Sequence, residues 1–466
     1  MTENSSQNEV RIIETGGANT SAVLAAFRRL GVDAEIVESA ADILAAERVV
    51  LPGVGGFAAG MHRLRQRGLV DALRAHVGAG RPLLAISLGL HLLLEGSDEA
   101  PGVPGLAIVP GHARRLEARR QALPLPQIGW NRILPDRPCR YLFDGWAFFA
   151  HTYALDGRPE DSQAAFADYG GRYVAGFEID SILACQFHPE LSGGYGRRLL
   201  RTWLEGRSLA PQPAAGPNIR VIPALDVEDG RVVRRVNMSS LNDAGDPLEL
   251  ASAYELQGAD EIVVTDVSAT RTGHAFAVSV VEDLRARLAI PLTVVGGALG
   301  IEDARRLFNA GADKIAIDSA TIAQPGLLSE LATTFGRQCI VLAIDAAAIE
   351  GGGWRVLFRG GQEDSGHDVI EWVERGAAQG AGEVLLSSRD RDGTKRGYDL
   401  DLIRAVRGVC RLPLIVSGGA ASPAHMQEAI EAGASAVLAA SIFHDAEHSV
   451  ASIKGWLARR GVPLRP

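Results

Sequence analysis

From Val10 onward, short apolar runs alternate with stretches whose apolar residues recur at helical spacing: Arg11-Ile12-Ile13, a glycine turn, Ser21 to Leu30, then Ala34-Glu35-Ile36-Val37. This alternation predicts a parallel sheet with helices on its faces. One run differs from the others. Pro82 to Leu94 is apolar, stops at the hydroxyl of Ser87, turns on Gly89 and resumes with helical spacing, which reads as strand, tight turn, helix. A side chain at such a turn is held beside free backbone N–H groups, where developing negative charge is stabilised and a nucleophile would sit. The same pattern fits a buried turn with a serine N-cap.

After a break the alternation continues and repeats itself. Ile222-Pro223-Ala224-Leu225-Asp226 recurs as Val341-Leu342-Ala343-Ile344-Asp345, Leu292 to Ala298 as Leu414 to Ala420, and Gly311-Ala312-Asp313 as Gly433-Ala434-Ser435. The period of about 120 residues implies two similar halves, which together make a (βα)8 barrel. The break lies between Trp203 and Ile219, where three prolines and two glycines occur without apolar periodicity. We therefore expect an α/β protein with a doubly wound domain over 10–205, a linker over 206–218 and a barrel over 219–466.

Composition narrows the function classes. The 466 residues exceed one typical core, and the net charge of −9 gives no support for a nucleic-acid surface. No apolar run is long enough to span a membrane, and the polar start lacks the apolar core of a signal peptide. Cys139, Cys185, Cys339 and Cys410 are widely spaced, which suits a reduced cytoplasmic protein better than a disulfide framework or a zinc site. No metal and no cofactor is expected.

Four further segments bear on Ser87. Pro52-Gly53-Val54-Gly55-Gly56 is a glycine turn whose bare backbone could bring N–H groups to an oxyanion, though it would also serve as a plain strand-to-helix connection. Phe187-His188-Pro189-Glu190 ends a strand with an imidazole, and the glutamate two residues on can orient it. With Gly129-Trp130-Asn131 and Phe149-Ala150-His151-Thr152-Tyr153, this set resembles the class I glutamine amidotransferase family, and within it the glutaminase half of imidazole glycerol phosphate synthases. The resemblance implies a nucleophile at position 87, a base at His188 oriented by Glu190, and an oxyanion loop at Gly53, Val54 and Gly55. The family has cysteine where this chain has Ser87, and glutamine where it has His91. An alcohol is a far weaker nucleophile than a partly ionised thiol, so glutaminase activity should be impaired. Cys185, three residues before the base and inside a strand, is read as a small buried residue and not as a replacement nucleophile.

In the barrel, Asp226 and Asp345 occupy equivalent positions at the C-terminal ends of strands 1 and 5. Two facing carboxylates suit a reaction that needs one proton donor and one acceptor. The pairs Gly296-Gly297 and Gly418-Gly419, with Asp392-Gly393-Thr394 and Ala440-Ser441, read as backbone cradles for phosphate at each end of a substrate. The run Asp390 to Asp399 and Asp243-Ala244-Gly245-Asp246-Pro247 resemble the cyclase half of the imidazole glycerol phosphate synthases over essentially all of 219–466.

That resemblance implies several further features. Asp226 and Asp345 would be the acid/base pair, Ser319 would lie in a phosphate loop, and Arg220, Glu261, Lys314 and Glu383 would ring an ammonia entrance. Glutamine or ammonia and a bis-phosphorylated small molecule would be the substrates, with no obligate partner chain because both halves are fused. The implied reaction converts phosphoribulosyl formimino-AICAR phosphate and ammonia to imidazole glycerol phosphate and AICAR. The chain departs from the family pattern at Ala224, Val295, Ala298, Asp318-Ser319 and Ala347, the last in place of a lysine. These departures keep two other readings open: a paralogue aminating a different sugar phosphate, and a non-catalytic scaffold or regulatory binder.

Overall fold

The computed structural model describes residues 9–16, 20–117, 123–155, 157–206, 219–228, 230–236, 240–267, 278–358 and 361–465, with the side chains of 234–236, 240–242 and 319 excepted. Contacts divide the chain into two compact units with the main break between Pro217 and Asn218. Nearly all of the expected linker, 207–218, lies outside the described residues.

The first unit is built on one nine-stranded sheet. Asp33–Val37, Glu9–Ile13, Val49–Leu51, Leu83–Ile86 and Ile182–Cys185 run parallel in that spatial order, as strand-helix alternation requires. Beyond that point the sheet departs from the parallel pattern of the N-terminal alternation. Arg172–Ile179, Gln163–Asp168, Gln127–Pro135 and Gly145–His151 extend it antiparallel. The reason is local, because these four strands are joined by turns and loops, and antiparallel neighbours need no crossover helix.

The second unit is a closed barrel. Its eight parallel strands are Arg220–Glu228, Ile262–Asp266, Leu292–Val295, Lys314–Ile317, Ile340–Ala348, Glu383–Ser388, Leu414–Ser417 and Ala436–Ala439. Pairing of Arg220–Pro223 with Ala436–Ala439 closes the ring. Strands 1 and 5 continue beyond Asp226 and Asp345, so neither aspartate ends its strand. Each strand runs on into an antiparallel hairpin, Arg231–Val236 with Ser240–Gly245 in one half and Trp354–Phe358 with Glu363–Asp368 in the other. Each hairpin leads into a helix capped by aspartate. Asp246 accepts the N–H groups of Leu248 and Glu249, and Asp368 those of Ile370 and Glu371.

The internal repeat reaches single hydrogen bonds. Arg285 ends a helix and donates to the carbonyls of Gly311, Leu288 and Ile290, and Arg407 donates to those of Gly433, Cys410 and Leu412. Each guanidinium thereby pins a helix end to the turn before the next strand. The partners diverge at the last contact, where Arg285 meets the Asp313 carboxylate at 2.9 Å and Arg407 the Ser435 hydroxyl at 3.5 Å. Arg285→Met removes the counter-charge of the buried Asp313 carboxylate and should cost roughly 3–5 kcal/mol, whereas Arg407→Met loses hydrogen bonds to neutral acceptors and should cost about 1–3 kcal/mol. Urea unfolding of the two variants checks this order, and equal losses would refute it.

Candidate active sites

In the first unit, Leu83–Ile86 leads through Ser87 into the helix Leu88–Leu93. Ser87 has φ +50° and ψ −107°, a backbone conformation that costs a non-glycine residue about 1–3 kcal/mol. Its side chain makes no N-cap hydrogen bond, so the capping role considered from sequence is not what the turn provides. The turn is held from both sides. Ser87 N–H donates to the Cys185 carbonyl at 2.6 Å, and Leu88 N–H donates to the Gly53 carbonyl at 3.2 Å. Glycine is required on both contact faces, since a Cβ on Gly89 would lie 2.0 Å from the Leu51 oxygen and one on Gly53 2.4 Å from Leu88 Cβ. The Gly53-Val54-Gly55 turn therefore packs directly on the elbow. In this arrangement its own carbonyl occupies the N–H that follows the nucleophile position, the usual oxyanion donor of such elbows.

His188 leaves the neighbouring strand at the same edge of the sheet, three residues beyond Cys185, which pairs with Ile86. Its Nδ1 lies 2.8 Å from Glu190 Oε1, its N–H donates to the Phe148 carbonyl, and its carbonyl accepts from the Ser192 hydroxyl. The imidazole is thus oriented by Glu190, and the His188 backbone is held by Phe148 and Ser192. Cys185 is fully buried and burial pushes its thiol well above the ordinary range, which suits packing and not attack.

His91 sits one helical turn after Ser87, with Nε2 2.8 Å from Gln186 Oε1. Burial lowers its pKa to about 4, against the opposing effect of the hydrogen bonds to Gln186 and the Tyr153 backbone. Burial likewise lowers His151 to about 3, with the nearby His91 and His188 adding to the effect. Both imidazoles stay neutral in the folded chain well below 6.5, where the unfolded chain takes up protons. The unfolded state binds more protons in that window, so stability should fall as pH drops from 6.5 toward 4. His91→Gln should flatten this dependence, as read by amide exchange across Leu83–Leu93. An unchanged slope would refute the assignment.

In the barrel, side-chain alternation along each strand builds three inward layers. Strand 1 points Arg220, Ile222, Ala224 and Asp226 inward, strand 6 Glu383, Leu385, Ser387 and then Arg389. The lowest layer is a ring of four buried charges. Arg220 meets Glu261 at 2.7 Å and also contacts Glu383, and Lys314 lies 2.6 Å from each of the two glutamates. Thr293 donates to Glu261 at 2.6 Å. Burial alone would raise the Glu261 pKa, but Lys314 and Arg220 outweigh it and hold the carboxyl below its ordinary range.

Above an apolar layer that includes Ile222, Val263, Val341 and Ile415 lies a cavity of about 270 Å³. Asp226 and Asp345 both line it, together with Asp392, Gly393, Gly418, Gly419, Ala440 and Ser441. Gly418 and Gly419 have φ of +98° and +93°, and a Cβ on Gly419 would lie 2.3 Å from the Gly397 oxygen, so this loop requires glycine. Gly296, Gly297 and Thr394 are not among the lining residues, and the side chain of Ser319 lies outside the described residues. Of the family departures, Ala224, Val295 and Asp318 line the cavity.

Sequence reasoning did not single out Thr265, Ser387, Arg389, Lys395, Ser417 or His444, which also line it. The signal for Arg389 was the alternation from Glu383, carried one step past the end of the strand. Among the described residues, no group of three His, Cys, Asp or Glu side chains is placed to hold a metal ion. No described helix is long and apolar enough to cross a membrane.

Fold and site together define a glutamine-amidotransferase domain joined to a biosynthetic (βα)8 barrel. Residues 11–205 match the class-I glutamine amidotransferase family and residues 220–449 the histidine biosynthesis protein family. The imidazole glycerol phosphate synthase subunit HisF of Mycobacterium tuberculosis is 48% identical over 258 residues, 54% of this chain and 97% of that protein. The same subunit of Mycobacteroides abscessus is 48% identical over 252 residues, 53% of this chain and 98% of that protein. The chain belongs to the imidazole glycerol phosphate synthase family, with the amidotransferase and cyclase domains on one polypeptide.

Proposed function

We propose that the barrel carries out the ammonia-dependent closure of an imidazole ring on phosphoribulosyl formimino-AICAR phosphate, releasing imidazole glycerol phosphate and AICAR. The observation that carries this reading is the convergence of Asp226 and Asp345, from equivalent strands of the two halves, on one cavity. One carboxyl accepts a proton as ammonia adds, and the other donates as the ring closes and the C–N bond to AICAR breaks. The backbone loops at Gly418-Gly419 and Asp392-Gly393 support phosphate binding at one end of the substrate. Arg220, Glu261, Lys314 and Glu383 stand at the opposite end of the barrel interior, where ammonia would enter.

The amidotransferase domain, on this reading, has lost most glutamine hydrolysis. Ser87 lacks the acidity of a thiol, and the Gly53 carbonyl fills the donor that an oxyanion would need. The second reading, a different phosphorylated substrate, draws on Asp318, a carboxylate on the cavity wall where a phosphate would be repelled.

Supplying ammonium and the substrate to the purified chain should release AICAR. Asp226→Asn and Asp345→Asn should each lower the rate by about 10²–10⁴-fold. A folded chain that turns over no substrate would refute the barrel assignment. Ser87→Cys should raise glutamine hydrolysis above the level of the unaltered chain, and equal or greater hydrolysis with Ser87 would refute the impairment.

A further inference from the structure

The two catalytic aspartates occupy equivalent positions in the repeat, but their surroundings are unequal. Asp345 pairs with Ser387 in the barrel register, and the next inward position on that neighbouring strand is Arg389. Arg389 N–H donates to the Ala346 carbonyl at 2.8 Å, which fixes the residue one layer above Asp345. Both side chains line the cavity. A Cβ placed on Gly361 would lie 3.4 Å from Asp345 Oδ2 and 3.9 Å from Arg389 Nε, so carboxylate and guanidinium are no more than about 7 Å apart.

Other charged groups face this wall. Asp226, Asp318 and Asp392 add negative charge, and His444 is held through Nδ1 by the Tyr254 hydroxyl at 2.7 Å. Lys395 is engaged by Glu447 and lies 3.9 Å from Asp445. Arg355, on the strand paired beyond Asp345, donates to the Gly366 carbonyl. Arg389 is a lining cation within about 7 Å of Asp345, and among the described residues it makes no side-chain ion pair.

We propose that Arg389 is a positioning residue that makes the two members of the acid/base pair unequal, favouring the anionic form of Asp345 over that of Asp226. The guanidinium is permanently charged and lies on Asp345's side of the cavity, so its field acts on that carboxyl more than on Asp226. Ala347 strengthens the case. It is the next position after Asp345 on the same face of its strand, where it pairs with Arg355, and it contributes no charge of its own. Arg389, which lines the cavity where Arg355 does not, supplies a cation there from one strand over.

The role of the pair in turnover rests on the proposed cyclisation, but the electrostatic coupling can be read without it. In chain labelled with ¹³C at the aspartate carboxyls, with Asp345 assigned through Asp345→Asn, the Asp345 titration midpoint should move up by about one pH unit in Arg389→Met. The Asp226 midpoint should move less. Arg389→Lys should largely keep the original midpoint, and Ala347→Lys introduced into Arg389→Met should bring it back down. With ammonium as nitrogen donor, the acidic limb of kcat/KM should shift upward by the same interval. An unmoved Asp345 midpoint overturns the proposal, as does an equal shift of both aspartates. A raised KM with an unchanged midpoint also overturns it, because that is the behaviour of a substrate contact alone. If the unaltered chain makes no AICAR, the cyclase reading fails, while the carboxyl titration still decides the coupling.

Discussion

Four charges sealed inside a barrel are tolerable only as a closed set. Arg220, Glu261, Lys314 and Glu383 meet this condition by alternation, each glutamate bridging both cations, so no charge is left without a counterpart. The requirement that all four point inward also fixes parity. Because side chains alternate along a strand, an inward Arg220 commits Ile222, Ala224 and Asp226 to the interior, an inward Lys314 commits Ala316 and Asp318, and an inward Glu383 commits Leu385, Ser387 and Arg389. The chemistry at the top of the barrel is thereby tied to the electrostatics at its base. A one-residue slip in any of these strands would bury the wrong face at both levels.

The first unit solves a different problem. It holds one residue in a conformation that side chains avoid, and it does so with backbone bonds on both flanks and two glycines that let the elbow close onto its neighbours. Such strain persists where the surroundings over-determine it. The strain falls on Ser87, where the residue carries a hydroxyl and not a thiol, and His188 is held by Glu190 two residues on. His91, by contrast, has joined a buried polar cluster with Gln186 and His151, and the neutral state of these imidazoles is a consequence of their desolvation.

Much of this was legible in the sequence. The barrel could be read because its halves repeat at fixed spacing, whereas the ring charges came through the family resemblance, each standing at the start of an apolar run. The elbow was visible as a hydroxyl between a strand pattern and a helix pattern. The antiparallel half of the first sheet was not, since Gln127 to Cys185 carries no helical segments to mark crossovers and single runs do not reveal strand direction. The hairpins beyond Asp226 and Asp345 were missed although Asp229-Gly230 and Gly351-Gly352-Gly353 are turn signals, because the strands were expected to end at the aspartates. Arg389 escaped because it lies one step outside its strand, where alternation is no longer an obvious guide. Glycine pairs looked alike on the page, yet Gly418-Gly419 faces the cavity and Gly296-Gly297 does not, a distinction set by how each loop leaves its strand.

The hydrogen bond from Leu88 N–H to the Gly53 carbonyl makes the amidotransferase site its own competitor. Any ligand that presents negative oxygen at the elbow must first displace an acceptor that is always present at the intramolecular concentration of the loop itself. Its apparent affinity is the intrinsic one lowered by the fraction of molecules in which the Gly53 peptide has turned away. A substitution that frees this peptide would therefore tighten ligand binding without touching the ligand, so the affinity of the elbow can be tuned from the loop alone.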